Sequence, residues 1–413
     1  MTVARLAVLL CVLAAPAAGQ IAVPSLGGTV GEAVSTLPRE ITRLGNTVTD
    51  GLQSATALAQ GRIERIDALI RRNSRSIERD GKGEAARLGE LLIVDPTTAN
   101  LTATNSAGYA TIEQGEIDGT GVRFARLAVP AGISLARAER DLKRKFPAII
   151  FSPDHLHFAS SVQLSARDVT QGSTASAFKT GGTVGLIDGG VDSGIAVVQA
   201  RGFASGAPAA SQHGTAVASS LVFAGVGRIV AADVYGRDPA GGNALAVARA
   251  LGWMTALRVP VVTISLVGPN NPLLARTIAA ASARGTIVVA AVGNDGPAAP
   301  PPYPASYPDV VAVTGVDERN RALIEAGRAL HLDYAAPGAD IFVTGLAGRT
   351  MKARGTSFAA PLVAARIAAA YAAAPDRRTL FHQIDSAAID LGRKGPDLLY
   401  GRGLVCGDCR RTK

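Results

Sequence analysis

The chain has 413 residues and is 47% hydrophobic, with 42 Lys and Arg against 33 Asp and Glu and a formal net charge of +9. This length is enough for two or three domains and a large buried core. A basic balance can indicate nucleic acid or membrane partners, but the basic residues here are scattered and form no patch interleaved with aromatic residues. We therefore expect a solvated basic surface and no nucleic acid partner.

Residues 1–19 are typical of a secretory signal peptide. The positively charged Arg5 precedes the short apolar run Leu6–Ala15, and the small residues Ala17 and Gly19 suit cleavage after Gly19. The apolar run is too short to span a bilayer, and no later segment is long, apolar and uncharged enough to do so. We expect an exported protein, in the periplasm or outside the cell, without a transmembrane segment.

Region 20–86 is predicted to be mainly helical. Between Pro38 and Ser76, apolar residues recur at steps of three and four, which places them on one face of a helix. These residues are Ile41, Leu44, Val48, Leu52, Ala55, Ala59, Ile63, Ile66 and Ile70. One interpretation is a helix or hairpin packed on the rest of the chain, and the other is a helix that binds a partner or a membrane surface.

Region 87–158 has the pattern of a small α+β unit. Strands are predicted at 91–94, 110–117, 122–129 and 148–151, and helices at 97–106 and after Ser134, a candidate N-cap. The order βαββαβ is the split-βαβ arrangement. Residues 159–180 are rich in Ser, Thr and Ala and are interpreted as a linker.

Region 181–405 alternates apolar strands with helices. Continuous apolar runs occur at 184–187, 228–234, 261–266, 287–292 and 310–314, as expected for strands covered on both faces. This alternation predicts a parallel sheet with helices on both sides. Ligands of such sheets bind beyond the carboxyl ends of the strands.

Four polar residues in this region stand in suggestive positions. Asp188 directly follows a predicted strand, His213 opens an apolar helix, and Ser357 begins a helix that is apolar nearly all round, while Asn294 lies in a Gly-Asn-Asp-Gly loop. Each has a structural explanation on its own: a turn Asp, a first-turn His, an N-cap Ser and a loop Asn. The other histidines lack such a context and are interpreted as surface or core residues: His155, His157, His331 and His382.

Together these four residues supply what acyl transfer needs. Ser357 is a candidate nucleophile, His213 a base, Asp188 a group that orients the base, and Asn294 an oxyanion donor. In Asp188-Gly189-Gly190, His213-Gly214-Thr215, Asn294 with its flanking glycines and Gly355-Thr356-Ser357, the chain resembles the subtilisin-like serine peptidases, whose Asp-His-Ser order is known from subtilisin itself. The resemblance covers Thr180–Val405 and implies an α/β catalytic domain that hydrolyses peptide bonds.

The resemblance also implies how protein or peptide substrates are held. Two segments match the strand and wall that bind an extended peptide, and their residues are Ser265, Leu266, Val267, Ala290 and Ala291. The chain departs from the family pattern at Val267, where Gly is usual, and this departure is expected to narrow the subsites.

The order of elements in region 87–158 is similar to the propeptide of the same family. The resemblance implies that this unit is a folding template and inhibitor, so that the chain's own propeptide is one of its partners. We expect a zymogen that cuts itself between about His155 and Thr180, with Leu156 or Phe158 nearest the cut.

Only Cys406 and Cys409 remain after removal of the signal peptide, in a C-terminal tail at 406–413. In an exported protein such a pair is most simply a small-loop disulfide, and a redox or metal-binding pair is the alternative. No acidic loop has the ligand spacing of a calcium site, so a structural calcium ion is not supported and no cofactor is identified.

Two further classes of function stay open. One is a non-catalytic binding or inhibitory protein on the same fold, which the four intact catalytic positions disfavour. The other is a partner or membrane adaptor, in which the N-terminal helices are the functional part and a peptidase is attached.

Overall fold

The computed structural model describes residues 39–159, 163–166, 181–374 and 376–409. The predicted signal peptide and most of the predicted linker lie outside these residues. Helix α1 (Arg39–Arg72) runs from a first unit, which ends at Gln53, into a second unit that begins at Ser54. All the elements after helix α1 belong to the second unit.

An antiparallel five-stranded sheet with two helices follows helix α1. Its elements are β1 (Ile77–Arg79), β2 (Ala85–Val94), α2 (Thr98–Ser106), β3 (Thr111–Ile117), β4 (Val122–Ala128), α3 (Leu135–Lys145) and β5 (Phe151–His155). The strand order is β1-β2-β4-β3, and β5 also pairs with β2. The predicted βαββαβ order is present, with one additional strand before it, so the sheet begins at Ile77, before the predicted boundary at residue 87.

The last strand of this sheet begins later than the sequence predicts. The apolar run suggested 148–151, whereas β5 spans Phe151–His155 and is buried throughout. The polar residues of β5 are buried because the fold supplies their partners: Leu245 N–H donates to Asp154, and Asp80 pairs with His155. An apolar pattern cannot reveal such partners, because they come from distant segments.

The second sheet is the predicted parallel one, with seven strands. They are β8 (Thr183–Asp188), β9 (Gln199–Gly202), β10 (Arg228–Asp233), β11 (Val261–Ile264), β13 (Ile287–Ala291), β14 (Val310–Val316) and β15 (Tyr334–Pro337). Their order in the sheet is β15-β14-β13-β11-β8-β10-β9, and all neighbouring strands pair in parallel. The α/β fold class is confirmed.

Helices cover both faces of the parallel sheet. Alternate residues of one strand enter opposite cores: Val289 packs with α4 (Gln212–Phe223) and α7 (Thr356–Tyr371). Val288 packs with α5 (Ala244–Ala256) and α6 (Pro272–Ala283). A last helix, α8 (Arg377–Ala387), packs beside α7.

Two short antiparallel sheets were not predicted. One sheet joins β7 (Gln163–Ala166), β17 (Thr350–Arg354) and β16 (Ile341–Thr344). The other joins β6 (Phe158–Ala159) to β12 (Leu266–Val267). The β7–β17 and β6–β12 pairings bring together segments more than 100 residues apart in the chain, and this is why local patterns missed them.

The α+β unit packs on α5 and α6 through the outer face of its sheet. This apolar contact contains Leu92, Val94, Ile117, Val122 and Phe124 of the sheet and Leu245, Ala248, Leu273 and Ala280 of the helices. Buried polar contacts join the same surfaces. Asp154 accepts a hydrogen bond from Leu245 N–H (3.0 Å), and burial raises the pKa of Asp154 to about 6.

His157 is buried just beyond this contact. Its main chain is held at both ends, since its N–H donates to Gly242 O (2.8 Å) and its carbonyl accepts from the Tyr235 hydroxyl (2.7 Å). Neither ring nitrogen has a partner within the described part of the chain. Burial therefore lowers the pKa of His157 to about 3.

His157 should make this fold sensitive to acid. Its folded pKa is below the ordinary value, so its stabilising contribution is full above pH 6.5 and is lost as the pH falls toward 3. Asp154, whose folded pKa is raised, acts in the opposite sense below pH 6. A comparison of variants at position 157 therefore isolates the histidine.

Between pH 8 and pH 5, the free energy of unfolding of Ser357→Ala should fall by about 2 kcal/mol more than that of Ser357→Ala/His157→Leu. Denaturant titration of the full chain at both pH values measures the difference. Equal losses in the two proteins would show that His157 does not titrate in this range.

Candidate active site

Asp188 and His213 meet at the carboxyl end of strand β8. Asp188 is the last residue of the strand and is buried, and both of its carboxylate oxygens lie 2.9 Å from His213 Nδ1. Gly189 N–H donates to the same carboxylate at 2.7 Å. The pair lies where a parallel sheet presents its ligand-binding edge.

His213 lies in the first turn of helix α4. Ser211 caps this helix by accepting a hydrogen bond from Gly214 N–H (3.0 Å), which fixes the start of the turn. His213 Nε2 is buried, and it has no hydrogen-bond partner among the residues that the structure describes. With Nδ1 donating to Asp188, Nε2 is the nitrogen that can accept a proton.

A second buried Asp–His pair lies in the α+β unit, where His155 Nε2 is 3.1 Å from Asp80 Oδ2. The other ring nitrogen, Nδ1, lies 3.2 Å from the amide nitrogen of Asn271. Both nitrogens of His155 are thus occupied, and no position is left for a proton from a substrate. This pair is a structural contact and not a catalytic one.

Ser357 lies in the first turn of helix α7 and is fully buried. Its hydroxyl is 3.5 Å from the carbonyl oxygen of Ser265, and the Ser265 hydroxyl donates in return to Ser357 O at 2.9 Å. The rings of His213 and Phe358 are 6.2 Å apart between centroids, so the histidine lies beside the start of α7. The sequence assigned Ser265 to substrate binding and did not foresee its bond to the serine backbone.

Asn294 follows strand β13 and reaches the start of the same helix. Its side-chain oxygen accepts a hydrogen bond from Thr356 N–H at 3.0 Å, which sets the orientation of the amide. Gly355, just before the helix, has φ +145°, and a side chain there would come within 2.8 Å of Asn294 Nδ2. Glycine at 355 therefore lets the amide approach the helix N-terminus, where the partial positive charge favours an anion.

The cleft beside these residues is occupied by the chain itself. Phe158 and Ala159 pair antiparallel with Val267 and Leu266, and Leu156 forms an isolated bridge with Asn243. We call Leu156–Ala159 the cleft segment. Leu156 and Phe158, apolar residues at the end of region 87–158, were the sequence signal that could have indicated this contact.

The predicted wall residues Ala290 and Ala291 are fully buried within strand β13, with their side chains in the two cores of the sheet. The structure therefore does not offer their side chains to a ligand. Val292 and Gly293, which follow, line a cavity of about 300 Å³ together with Val267. Val267 packs on Gly293 so closely that a Cβ there would be 2.9 Å from Val267 Cγ2.

The structure also brings Cys406 and Cys409 together as a disulfide, with Cα atoms 5.1 Å apart. Their state in the exported protein stays a prediction. Arg366 of helix α7 approaches Cys406 Sγ at 3.2 Å and pairs with Asp408 at 2.8 Å, so this C-terminal loop is fastened to the helix that carries Ser357.

Comparison with known proteins decides the family. Residues 180–403 match the subtilase family, Peptidase_S8, and this stretch is more than half of the chain. The chain belongs to the subtilase family. It is therefore a serine-type endopeptidase, as its site residues and their order led us to expect.

The relatives of this subtilase include subtilisin E of Bacillus subtilis (strain 168), 29% identical over 300 residues that cover 65% of this chain and 77% of the relative. Fervidolysin from Fervidobacterium pennivorans is similar in fold, with a TM-score of 0.64, 18% identity and coverage of 81% of this chain and 62% of its own. The epidermin leader peptide processing protease EpiP from Staphylococcus aureus has a TM-score of 0.58, 15% identity and coverage of 78% and 97%. This subtilase thus spans less than two thirds of the fervidolysin chain.

Replacing Asn294 by Ala should lower kcat by about 10²–10³ with little change in KM, because an amide that meets the oxyanion acts mainly in the transition state. That magnitude is the one known for removal of the corresponding donor from subtilisin itself. Steady-state kinetics on a chromogenic peptide measure both constants, with Asn320→Ala, in the turn that follows Asp317, as the control. An unchanged kcat would show that Asn294 has only a structural role in its loop.

Proposed function

We propose that this subtilase hydrolyses peptide bonds with Ser357 as nucleophile, His213 as general base, Asp188 as the orienting carboxylate and Asn294 as oxyanion donor. One observation carries the proposal: Asp188 holds Nδ1 of His213, while buried Nε2 is without a partner in the described chain, beside the helix whose first turn contains Ser357. A base whose first nitrogen is held by a carboxylate and whose second nitrogen is open, close to a candidate nucleophile, supports this assignment.

The reaction follows from these positions. Ser357 gives its proton to His213 Nε2 as Oγ attacks the carbonyl carbon, and Asp188 stabilises the imidazolium that forms. The developing oxyanion is met by the Ser357 backbone N–H and the Asn294 amide. His213 then returns the proton to the leaving amine as the C–N bond breaks, and water releases the acyl group by the same steps in reverse.

The cleft supports a preference for small substrate residues at the cut. The branched side chain of Val267 extends toward Gly293, directly before the proposed oxyanion donor. The substrate residue whose carbonyl faces Asn294 has to place its side chain in this gap. The cleft segment pairs with β12 through its main chain, and a substrate is proposed to do the same. Such pairing supplies affinity without requiring particular side chains at the other substrate residues.

We further propose that the α+β unit is a propeptide and that the chain is a zymogen. Two observations support this: the unit is packed on α5 and α6, and its C-terminal extension pairs with the strand proposed to bind substrate. The likeness to fervidolysin covers more of the chain than the family match and so reaches into residues before 180. Because Phe158 and Ala159 pair with β12, and Gln163 pairs with Arg354 three residues before Ser357, the cut is proposed to follow Ala159, later than Leu156.

Export is proposed from the signal-peptide pattern of residues 1–19. Among the described residues, no helix is both long enough and apolar enough to cross a bilayer. N-terminal sequencing of the Ser357→Ala precursor recovered from the periplasm or medium tests the proposed cleavage after Gly19, because this variant is expected to keep residues before 160.

Replacement of Ser357 by Ala should abolish peptide hydrolysis and labelling by a fluorophosphonate while leaving the fold intact. The variant should accumulate as a precursor that retains residues before 160, because the cut is proposed to be its own reaction. Intact mass and N-terminal sequencing of both proteins measure this, with Ser386→Ala, an exposed serine of α8, as the control.

Labelling of another serine in Ser357→Ala would contradict the nucleophile. Maturation of that variant in a protease-deficient host would contradict self-cleavage alone. An unlabelled wild type that is fully cut would favour the non-catalytic alternative.

Replacement of Val267 by Gly should open the gap beside Gly293. The ratio of kcat/KM for Phe against Ala at the substrate residue before the cut should rise about tenfold or more, since added methylene groups in a fitted pocket change selectivity by that order. Matched peptide substrates measure the ratio, with the exposed Val198→Gly as the control. A ratio equal to that of wild type would exclude Val267 from this subsite.

A further inference from the structure

The C-terminal half of helix α1 lies against the loop that carries Asn294. Leu58 packs on Gly296, two residues after Asn294, and a Cβ at Gly296 would be 2.9 Å from Leu58 Cβ. We call residues 54–72 the strap. Neither the family match, which begins at residue 180, nor the proposed propeptide sheet includes it.

Charged contacts hold the strap to the same loop. Arg65 and Arg62 both pair with Asp295, which directly follows Asn294, and the Arg62–Asp295 distance is 3.6 Å. Arg62 also pairs with Glu84 of the α+β unit at 2.5 Å. Through these two arginines, one helical turn apart, the strap is ion-paired both to the α+β unit and to the loop that carries Asn294.

The apolar face of the strap covers the cleft segment. Ile66 is 4% exposed and lies in one cluster with Ile77 of strand β1 and Leu156 of the cleft segment, against which Phe158 packs. The strap and the cleft segment thus bury each other, and the loss of either one exposes the other. A cavity of about 430 Å³ remains between the strap, the cleft segment and Val267. Because the apolar packing there is incomplete, the ion pairs of Arg62 and Arg65 with Asp295 contribute to holding the strap on the cleft segment.

We propose that the strap is a second inhibitory element, which keeps the cleft segment in place after the chain has been cut beyond Ala159. The inference rests on the proposed zymogen and its catalytic serine. A cut after Ala159 frees one end of the cleft segment. The apolar contact of Ile66 with Leu156, and the ion pairs of the strap with Asp295, still hold the rest of that segment in place. Activation then has two steps, the cut and the departure of the strap.

The test separates these two steps in the full chain. Intact mass follows the cut, and fluorophosphonate labelling of Ser357 follows the opening of the site. In wild type, labelling should lag behind the cut. In Arg65→Glu, which places two carboxylates together, the lag should shorten about fivefold or more. Arg71→Glu makes the same charge change on an exposed residue of the strap and should keep the wild-type lag.

Two further variants guard the interpretation. Leu58→Asn removes the contact with Gly296 without changing charge and should also shorten the lag. Arg65→Glu combined with Asp295→Arg restores an ion pair and should lengthen it again. Once all residues before 160 have been removed, Arg65→Glu and Leu58→Asn should match wild type in specific activity, since the strap is then gone.

The outcomes are distinct. Labelling that coincides with the cut in wild type, or equal lags in wild type, Arg65→Glu and Leu58→Asn, would overturn the strap and leave the catalytic proposal standing. Immediate labelling of the uncut wild-type chain would overturn both the strap and the zymogen. Absence of labelling in every protein, including fully cut wild type, would overturn the proposed function and the strap with it.

Discussion

The site depends on one buried carboxylate, that of Asp188. A carboxylate removed from water is costly unless it is hydrogen-bonded or paired, and Asp188 is only 1% exposed. Gly189 N–H and His213 meet that need, so the first turn of α4 has to lie over the end of β8. Because the carboxylate holds Nδ1, the histidine keeps one tautomer and turns its other nitrogen away from the strand. The orientation of the proposed base is thus a result of satisfying a buried charge.

The start of helix α7 is fixed by the two segments that flank it. Asn294 accepts from Thr356 N–H, and Ser265 donates to Ser357 O, so side chains from two different strand ends hold consecutive residues of the first turn. Both bonds involve backbone groups of the helix, so they fix the position of Ser357. Its hydroxyl keeps only a long contact of 3.5 Å with Ser265 O. If Ser357 and Asn294 act as proposed, this fixed arrangement needs little rearrangement during reaction, which is the general source of catalysis by preorganised groups.

The sequence predicts those parts of the molecule that local pattern determines. Apolar runs such as 184–187 identify the parallel strands, and the polar residues after them identify the site, because burial on both faces leaves a strong signal. It does not predict pairings between remote segments. Polar Asp154 obscures strand β5, the cleft segment pairs with a strand about 110 residues away, and Arg65 meets Asp295 across 230 residues. A periodic apolar face indicates that helix α1 is amphipathic but not what it covers.

The contact between the α+β unit and helices α5 and α6 stabilises a different part of the fold from the cleft segment. Asp154 completes the N-terminus of α5, and the sheet covers an apolar face that would otherwise meet water. Neither contact requires the active site to be formed, since both helices lie on the face of the sheet opposite to α7. The cleft segment, by contrast, can pair only when β12 is already in place. The α+β unit therefore makes two separate contacts with the rest of the chain: its sheet covers α5 and α6, and the segment that follows it pairs with β12.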